Sequence, residues 1–390
     1  MGARPGRPPN RRAAFNSATS TNMLFEPLTL RGTVLRNRIV VSPMCQYKAV
    51  DGYIQPWHLA HHARFALGGA AIVFVEATAV TRNGRITHGC TGLWEDGQIQ
   101  GMRQIAELHR QHGVVPAIQI GHAGRRASAA RPWEGASSLA LSGPDEPWQA
   151  MAPSAIPERD GYPVPHEVTG ADIDDLLAAF AAAARRALAA GFEIVEVHGA
   201  HGYLLHSFFS PVSNRRNDAY GGNLERRMRL PLLVAETVRG IWPAGKPVFY
   251  RTSVVDGVEQ GLTVEDSIIL ARELGRRGID VIDCSSGGMT GPTTLSTKKI
   301  KPGYQVPLAA AIKRGSGLKV MAVGAILNGR QADAILRDGD ADLIAIGREM
   351  LADPNWTYHA AVDLDLAEPW RVLPPEYGFY LERRSAVLER

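Results

Sequence analysis

Eight short apolar runs, rich in Val and Ile and separated by stretches of helical character, constrain this chain more than any other feature. They are Arg38 to Pro43, Ala71 to Ala77, Val114 to Ile120, Phe192 to His198, Pro247 to Thr252, Ile279 to Ser285, Lys319 to Gly324 and Asp342 to Gly347. Near-continuous apolarity is what parallel strands need when both of their faces are buried. Eight alternations of strand and helix predict an α/β fold, a (β/α)8 TIM barrel. The rival, an open doubly wound sheet, normally carries a G-x-G-x-x-G turn after its first strand, and none occurs near Pro43.

Local signals agree with this reading. Thr169 followed by Asp172, and Thr263 followed by Asp266, resemble capping boxes, and Gly191 and Gly278 end the helices so begun. A further helix, Asn223 to Trp242, holds Pro231 in its middle, and the missing backbone donor should kink or split it. Phe25 to Arg36, turning at Arg31–Gly32, reads as a hairpin that plugs the N-terminal end of the barrel. Two connections of roughly fifty residues follow the third and fourth strands; one includes Trp133 to Pro165 and the other runs from Gly199 to Gly245. In a barrel such loops build the rim of the active site.

Residues 1–22 are rich in Arg, Pro, Ser, Thr and Asn and show no periodic apolar face. They read as a disordered basic tail before a barrel at 23–364, with 365–390 a C-terminal segment that could reach a neighbouring subunit. Arg11–Arg12 is followed by no hydrophobic stretch, so an export signal is not expected, and Met23 reads as the natural start. The formal charge of +4 is matched by Arg4, Arg7, Arg11 and Arg12 of that tail, leaving a neutral body. Nucleic acid is therefore not an expected partner. No apolar run is long enough to span a membrane, which leads us to expect a cytoplasmic protein without a membrane partner. The three cysteines, Cys45, Cys90 and Cys284, are too few and too scattered for a disulfide scaffold or a four-cysteine cage.

Every residue suited to chemistry follows the C-terminal end of one of the eight runs, where a barrel assembles its site. After the fourth run, His198, His201 and Tyr203 lie within one turn. Two neutral imidazoles can donate N–H groups to a substrate oxygen, and a phenol can deliver a proton. The same cluster is also compatible with a metal pair, which would give a metal-dependent barrel hydrolase, or with a purely structural role. Cys45, after Ser42-Pro43-Met44, is as well read as a buried thiol. Gln119 and Arg251 could hydrogen-bond a planar heterocycle or act as internal struts. Gly324, and Gly347 beside Arg348, leave backbone N–H groups open to an anion such as phosphate.

Taken in order, several segments resemble the Old Yellow Enzyme family, in particular its bacterial branch with a cysteine beside the flavin. They are Asn37 through Tyr47, Val75-Glu76-Ala77, His122-Ala123-Gly124-Arg125, His198 through Tyr203, Tyr220 through Arg227 and Ile346-Gly347-Arg348. The resemblance spans roughly residues 24–354 and implies an NAD(P)H-dependent FMN ene-reductase acting on α,β-unsaturated carbonyl or nitro compounds. It implies that Ser42, Pro43, Met44 and Cys45 line the flavin, that Ala77 and Gln119 meet its ring, and that Arg251 faces its N1 edge. Gly324, Gly347 and Arg348 would take the phosphate. His198 and His201 would hold the substrate carbonyl oxygen, Tyr203 would protonate the α-carbon, and Tyr47 would contact substrate. No bound metal is implied. NADPH or NADH would occupy the same pocket in turn, which is consistent with the missing dinucleotide fingerprint. Relatives in this branch are homo-oligomers, dimers or tetramers, whose C-terminus enters a neighbour's site; Tyr377, Tyr380, Arg383 and Arg384 are the candidates here.

Overall fold

The computed structural model of the protein describes residues 22–142, 145–290 and 299–388. The expected basic tail, 1–22, therefore lies almost wholly outside the described residues, as does the segment 291–298. Two short strands come first, β1 (Leu28–Leu30) and β2 (Thr33–Leu35), paired antiparallel about Arg31 and Gly32. The barrel strands are β3 (Ile39–Val41), β4 (Ile72–Ala79), β5 (Val115–Gly121), β8 (Ile194–Gly199), β9 (Val248–Ser253), β10 (Val281–Ser285), β11 (Lys319–Val323) and β12 (Leu343–Ile346). Between β5 and β8 the rim adds the two-residue pair β6 (Met151–Ala152) and β7 (His166–Glu167). Every barrel pairing is parallel and β12 pairs with β3, so the sheet closes in chain order.

The helices, in chain order, are α1 (Pro56–Ala66), α2 (Ile99–Gln111), α3 (Leu139–Ser142), α4 (Gly170–Ala190), α5 (Leu204–Phe209) and α6 (Leu224–Ile241). After them come α7 (Val264–Arg276), α8 (Val306–Ser316), α9 (Gly329–Arg337), α10 (Arg348–Ala352), α11 (Trp356–Asp363) and α12 (Pro375–Val387). Both predicted capping boxes are present, at Thr169 and Thr263, and Gly191 closes α4 with a left-handed φ of 95°. The expectation that Pro231 could split this helix needs correction, because α6 runs unbroken through it. Its apolar side, with Met228, Leu230, Leu232 and Val234, is buried, and that packing outweighs the cost of about 3 kcal/mol of an interior proline.

Strand parity divides the core in two. Val73, Ile118, Val195, Val197 and Ile282 belong to the large cluster shared with the helices, whereas Val40, Ile72, Phe74, Ala117, Ile194, Phe249, Val281 and Met321 fill the barrel. Leu30 and Leu35 of the hairpin join that inner cluster, and Gly32 N–H donates to Gly245 O at 2.9 Å. The hairpin is thus the plug at the N-terminal end, and β3 ends early because Pro43 has no N–H to continue the ladder after Ser42 N–H bonds Ile346 O. A register shift between Val75 and Thr78 lets β4 run past Ala77, in the way bulges re-aim side chains near active sites.

Under the barrel wall, His62 and His109 share a hydrogen bond of 3.2 Å, and burial depresses His61 to about 4 and His109 to about 3. His62 is also held well below its ordinary value, first by burial. An unfolded histidine near pKa 6.5 binds protons these groups refuse, so stability is present at neutral pH and is lost as pH falls through 6.5 towards the folded values. Urea unfolding at about pH 5 should show a loss of about 2 kcal/mol for each histidine that stays uncharged, relative to pH 7. An unchanged midpoint would mean that these imidazoles are not buried in the folded protein.

Candidate active site

The turn from β8 into α5 brings the predicted trio together. The His198 ring lies edge-on to those of His201 and Tyr203, with centroids 5.2 and 4.9 Å away. Ala200 N–H donates to His198 Nδ1 at 3.3 Å, which makes Nδ1 the acceptor and leaves Nε2 as the donor. His201 Nε2 stands 2.7 Å from Ser285 Oγ. Among the described residues the other acceptor for the Ser285 hydroxyl is Gln305 Oε1 at a long 3.5 Å, and Ser286 already serves that oxygen at 2.6 Å. Ser285 therefore donates to His201 Nε2, and His201 keeps its proton on Nδ1.

Burial first, then the Arg251 charge, holds both imidazoles well below the usual histidine range, so both are neutral at pH 7. Burial raises the Tyr203 phenol, which stays protonated. The backbone is fixed as firmly as the side chains. His201 has φ 63°, in the left-handed region, and its N–H donates to Ser253 Oγ at 3.0 Å. Gly202, at φ 75°, packs so closely that a Cβ there would lie 2.1 Å from Gly288 O. Behind it, Gly202 N–H donates to His206 Nδ1, and His206 Nε2 bonds the fully buried Asp256 at 2.8 Å.

The end of β3 supplies the opposite wall. Gln46 N–H donates to buried Glu76 at 2.9 Å, which anchors the Cys45 segment. Burial and the Glu76 charge raise the Cys45 thiol, so it is a neutral, half-buried group. Tyr47 has φ 53° and meets the Trp133 ring edge-on at 5.8 Å. Tyr47 and Tyr203 share the wall of a chamber of about 530 Å³, which extends between Trp148, Tyr162 and Ala130. Ala77, His198 and Tyr203 together line a smaller recess beside it.

Below the mouth, Gln119, Glu196, Arg251 and Asp283 all face the barrel interior; Gln119 registers with Glu196, while Arg251 registers with His198 and Asp283, one inward position above the Phe249 that lies opposite Glu196. Gln119 Nε2 donates to Glu196 Oε1 at 2.7 Å, and Arg251 Nε lies 3.1 Å from Asp283 Oδ2. At the far side, a Cβ on Gly347 would be 3.7 Å from Met44 Sδ and 3.9 Å from Ser42 Cβ, so β12 and the Ser42 segment share one edge of the mouth. Gly324 has φ 114° and sits against Tyr304 and Gln305, and Arg348 is exposed.

These residues fit a flavin phosphate. Among the described residues Ser42 Oγ is buried without a hydrogen-bond partner, Arg251 Nε meets only the Asp283 carboxylate, and Gly324 and Gly347 place side-chain-free backbone at the strand ends. Sequence reasoning missed Ser285, Glu196 and Asp283. The signal was present, because acids within buried apolar runs are out of place unless they are paired. Among the described residues no group of three or more His, Cys, Asp or Glu could hold a metal, so the metal reading of His198 and His201 has no third ligand there. No described helix is long and apolar enough to cross a membrane.

Comparison with known proteins adds an independent line. The model of the NADH:flavin oxidoreductase / NADH oxidase family matches residues 23–366. An NADPH dehydrogenase of Geobacillus sp. (strain WCH70) is 42% identical over 344 residues, covering 88% of this chain and 94% of that one. Among solved structures, morphinone reductase in complex with tetrahydroNAD superposes with a TM-score of 0.70 at 25% identity, over 87% of this chain and 90% of that one. A 2-naphthoyl-CoA reductase complex superposes with a TM-score of 0.79 at 22% identity, over 90% of this chain and 53% of that longer chain, a likeness of fold.

Proposed function

The chain belongs to the NADH:flavin oxidoreductase / NADH oxidase family, and from that premise we propose that it is an ene-reductase reducing the C=C bond of α,β-unsaturated carbonyl or nitro compounds. At the coarser level it is an NAD(P)H-dependent flavin oxidoreductase with FMN as cofactor. The observation that carries the finer reading is the juxtaposition of two neutral imidazoles with a protonated phenol at the barrel mouth.

FMN, when bound, supplies the hydride relay between reduced nicotinamide and substrate. Ser42, Pro43, Met44, Cys45, Ala77 and Gln119 would line it, Arg251 would offset charge gained on reduction, and Gly324, Gly347 and Arg348 would take its phosphate. The Cys45 thiol, being neutral, would act as a weak donor and not as a nucleophile. His198 Nε2–H and His201 Nδ1–H would hold the substrate oxygen as negative charge develops there. Tyr203 O–H would deliver the proton to the α-carbon, and Tyr47 would press the substrate from the rim. A chamber of about 530 Å³ beside the two tyrosines suits acceptors bulkier than a simple cyclic enone. Exposed Tyr377, Phe379 and Tyr380 on α12 favour a homodimer or homotetramer.

An anaerobic absorbance trace tests this reading. NADPH should bleach the flavin band of the purified protein, and 2-cyclohexen-1-one should restore it. Bleaching without recovery, by this or a bulkier enone, would leave a flavin oxidoreductase and remove the ene-reductase.

A further inference from the structure

Among the described residues, the barrel interior under the mouth holds two acids, Glu196 and Asp283, to one cation, Arg251. Glu196 and Asp283 are both fully buried, and Arg251 is 8% exposed. Arg251 stands beside Asp283, and Gln119 occupies Glu196 Oε1. Among the described residues Glu196 Oε2 and Asp283 Oδ1 have no hydrogen-bond partner. A buried carboxylate oxygen in that state is strongly disfavoured unless it carries a proton.

Other groups bearing on Glu196 do not supply the missing charge. On its own strand the next inward residue is His198, held neutral by burial. Strand β5 offers only the Gln119 amide, β9 offers Arg251 and β10 offers Asp283. Phe249 registers with Glu196 and Met321 with Asp283, Ile194, Ala117 and Val281 lie one inward position below Glu196, Gln119 and Asp283, and Val40, Phe74, Leu343 and Ala345 complete this apolar interior. Glu196 is thus the acid without a cation.

We propose that Glu196 is a proton-holding residue for the cofactor, taking up a proton from solvent when the flavin is reduced and returning it on reoxidation. This rests on the placement of the flavin beside Arg251 proposed above. In the reductive step the C4–H bond of the nicotinamide breaks and its electron pair and hydrogen form an N–H bond on the flavin. The nicotinamide is oxidised, the flavin is reduced by two electrons, and one negative charge is added near Arg251. That charge draws on the Arg251 field that Glu196 otherwise shares, so the Glu196 carboxylate binds a solvent proton and becomes a neutral acid. Burial, reinforced by Asp283, raises Glu196 to about 8 before any such charge is added. Uptake on reduction is therefore expected above that pH, whereas below it the proton is already in place.

The test is the midpoint potential of the bound FMN from about pH 6.5 to about 10, in the wild type and in Glu196→Gln, which mimics the protonated acid in shape. One proton per two electrons gives a gradient of about 30 mV per pH unit, and two protons about 60 mV, because a tenfold change is 29.6 mV for a two-electron couple. The wild type should steepen from the first gradient to the second above about pH 8, and Glu196→Gln should keep the shallow gradient throughout. On the wild type alone, oxidised protein near pH 7 should show an infrared carbonyl band of a protonated carboxylic acid that disappears above about pH 9. A single gradient in the wild type, a steepening that survives Glu196→Gln, or no such band would overturn the proposal while leaving the ene-reductase reading intact. Protein that binds no FMN would overturn both.

Discussion

Tyr203→Phe is expected to slow reoxidation of the reduced enzyme by an enone by about 10²- to 10⁴-fold, the range for a lost general acid, while leaving reduction by NADPH nearly unchanged. The asymmetry follows from what each half-reaction needs. Hydride transfer from nicotinamide requires no proton from the protein, whereas saturating a C=C bond needs one at the α-carbon. The phenol is available for that task at any assay pH, because burial raises it and keeps it protonated. Phe preserves the ring that packs edge-on to His198 at 4.9 Å, so the imidazole frame should survive the change. Stopped-flow traces of the two half-reactions decide the matter. Equal slowing of both would make Tyr203 part of the pocket wall and would send the search for the proton donor to Tyr47, across the same chamber.

The barrel was legible because its strands carry a signal that does not depend on context. Eight apolar runs bounded by caps and glycines leave little else to fold into, and the run boundaries differ from the strands by a residue or two at ladder ends such as Pro43. Pro231 was misjudged because its local cost is visible in sequence while the burial that offsets it is not. The site was legible in part for a different reason. His198, His201 and Tyr203 are close in sequence, so a single turn brings them together. Asp283 and Ser285 come from β10, and although Glu196 lies on β8 only two residues before His198, the registers of β8, β9 and β10 are needed to show that all three share the barrel interior with that turn. The tautomers could not be read at all, since they depend on the Ala200 amide and Ser285 hydroxyl donors and on the Gln305 acceptor, scattered along the chain.

Those tautomers carry the second large expectation. His198→Ala and His201→Ala should each slow enone reduction by about 10²- to 10³-fold, about 3 to 4 kcal/mol per lost donor, because each removes an N–H aimed at charge that exists mainly in the transition state. Ser285→Ala should cost about tenfold, since it frees His201 to take the wrong tautomer without removing the ring. The pH dependence separates neutral donors from charged ones. Both imidazoles are held well below their ordinary value by burial and by Arg251, so in the folded enzyme neither gains a proton as pH falls from 8 to 6. The enone-dependent rate constant should then be flat across that range. If an imidazolium were the donor, the rate would rise as pH falls through about 6.5, the ordinary histidine value, and that rise would vanish in whichever alanine variant removed it. A rising limb would therefore overturn the neutral oxyanion site, and it would also mean that the field of Arg251 reaches the turn less strongly than its place in the barrel implies.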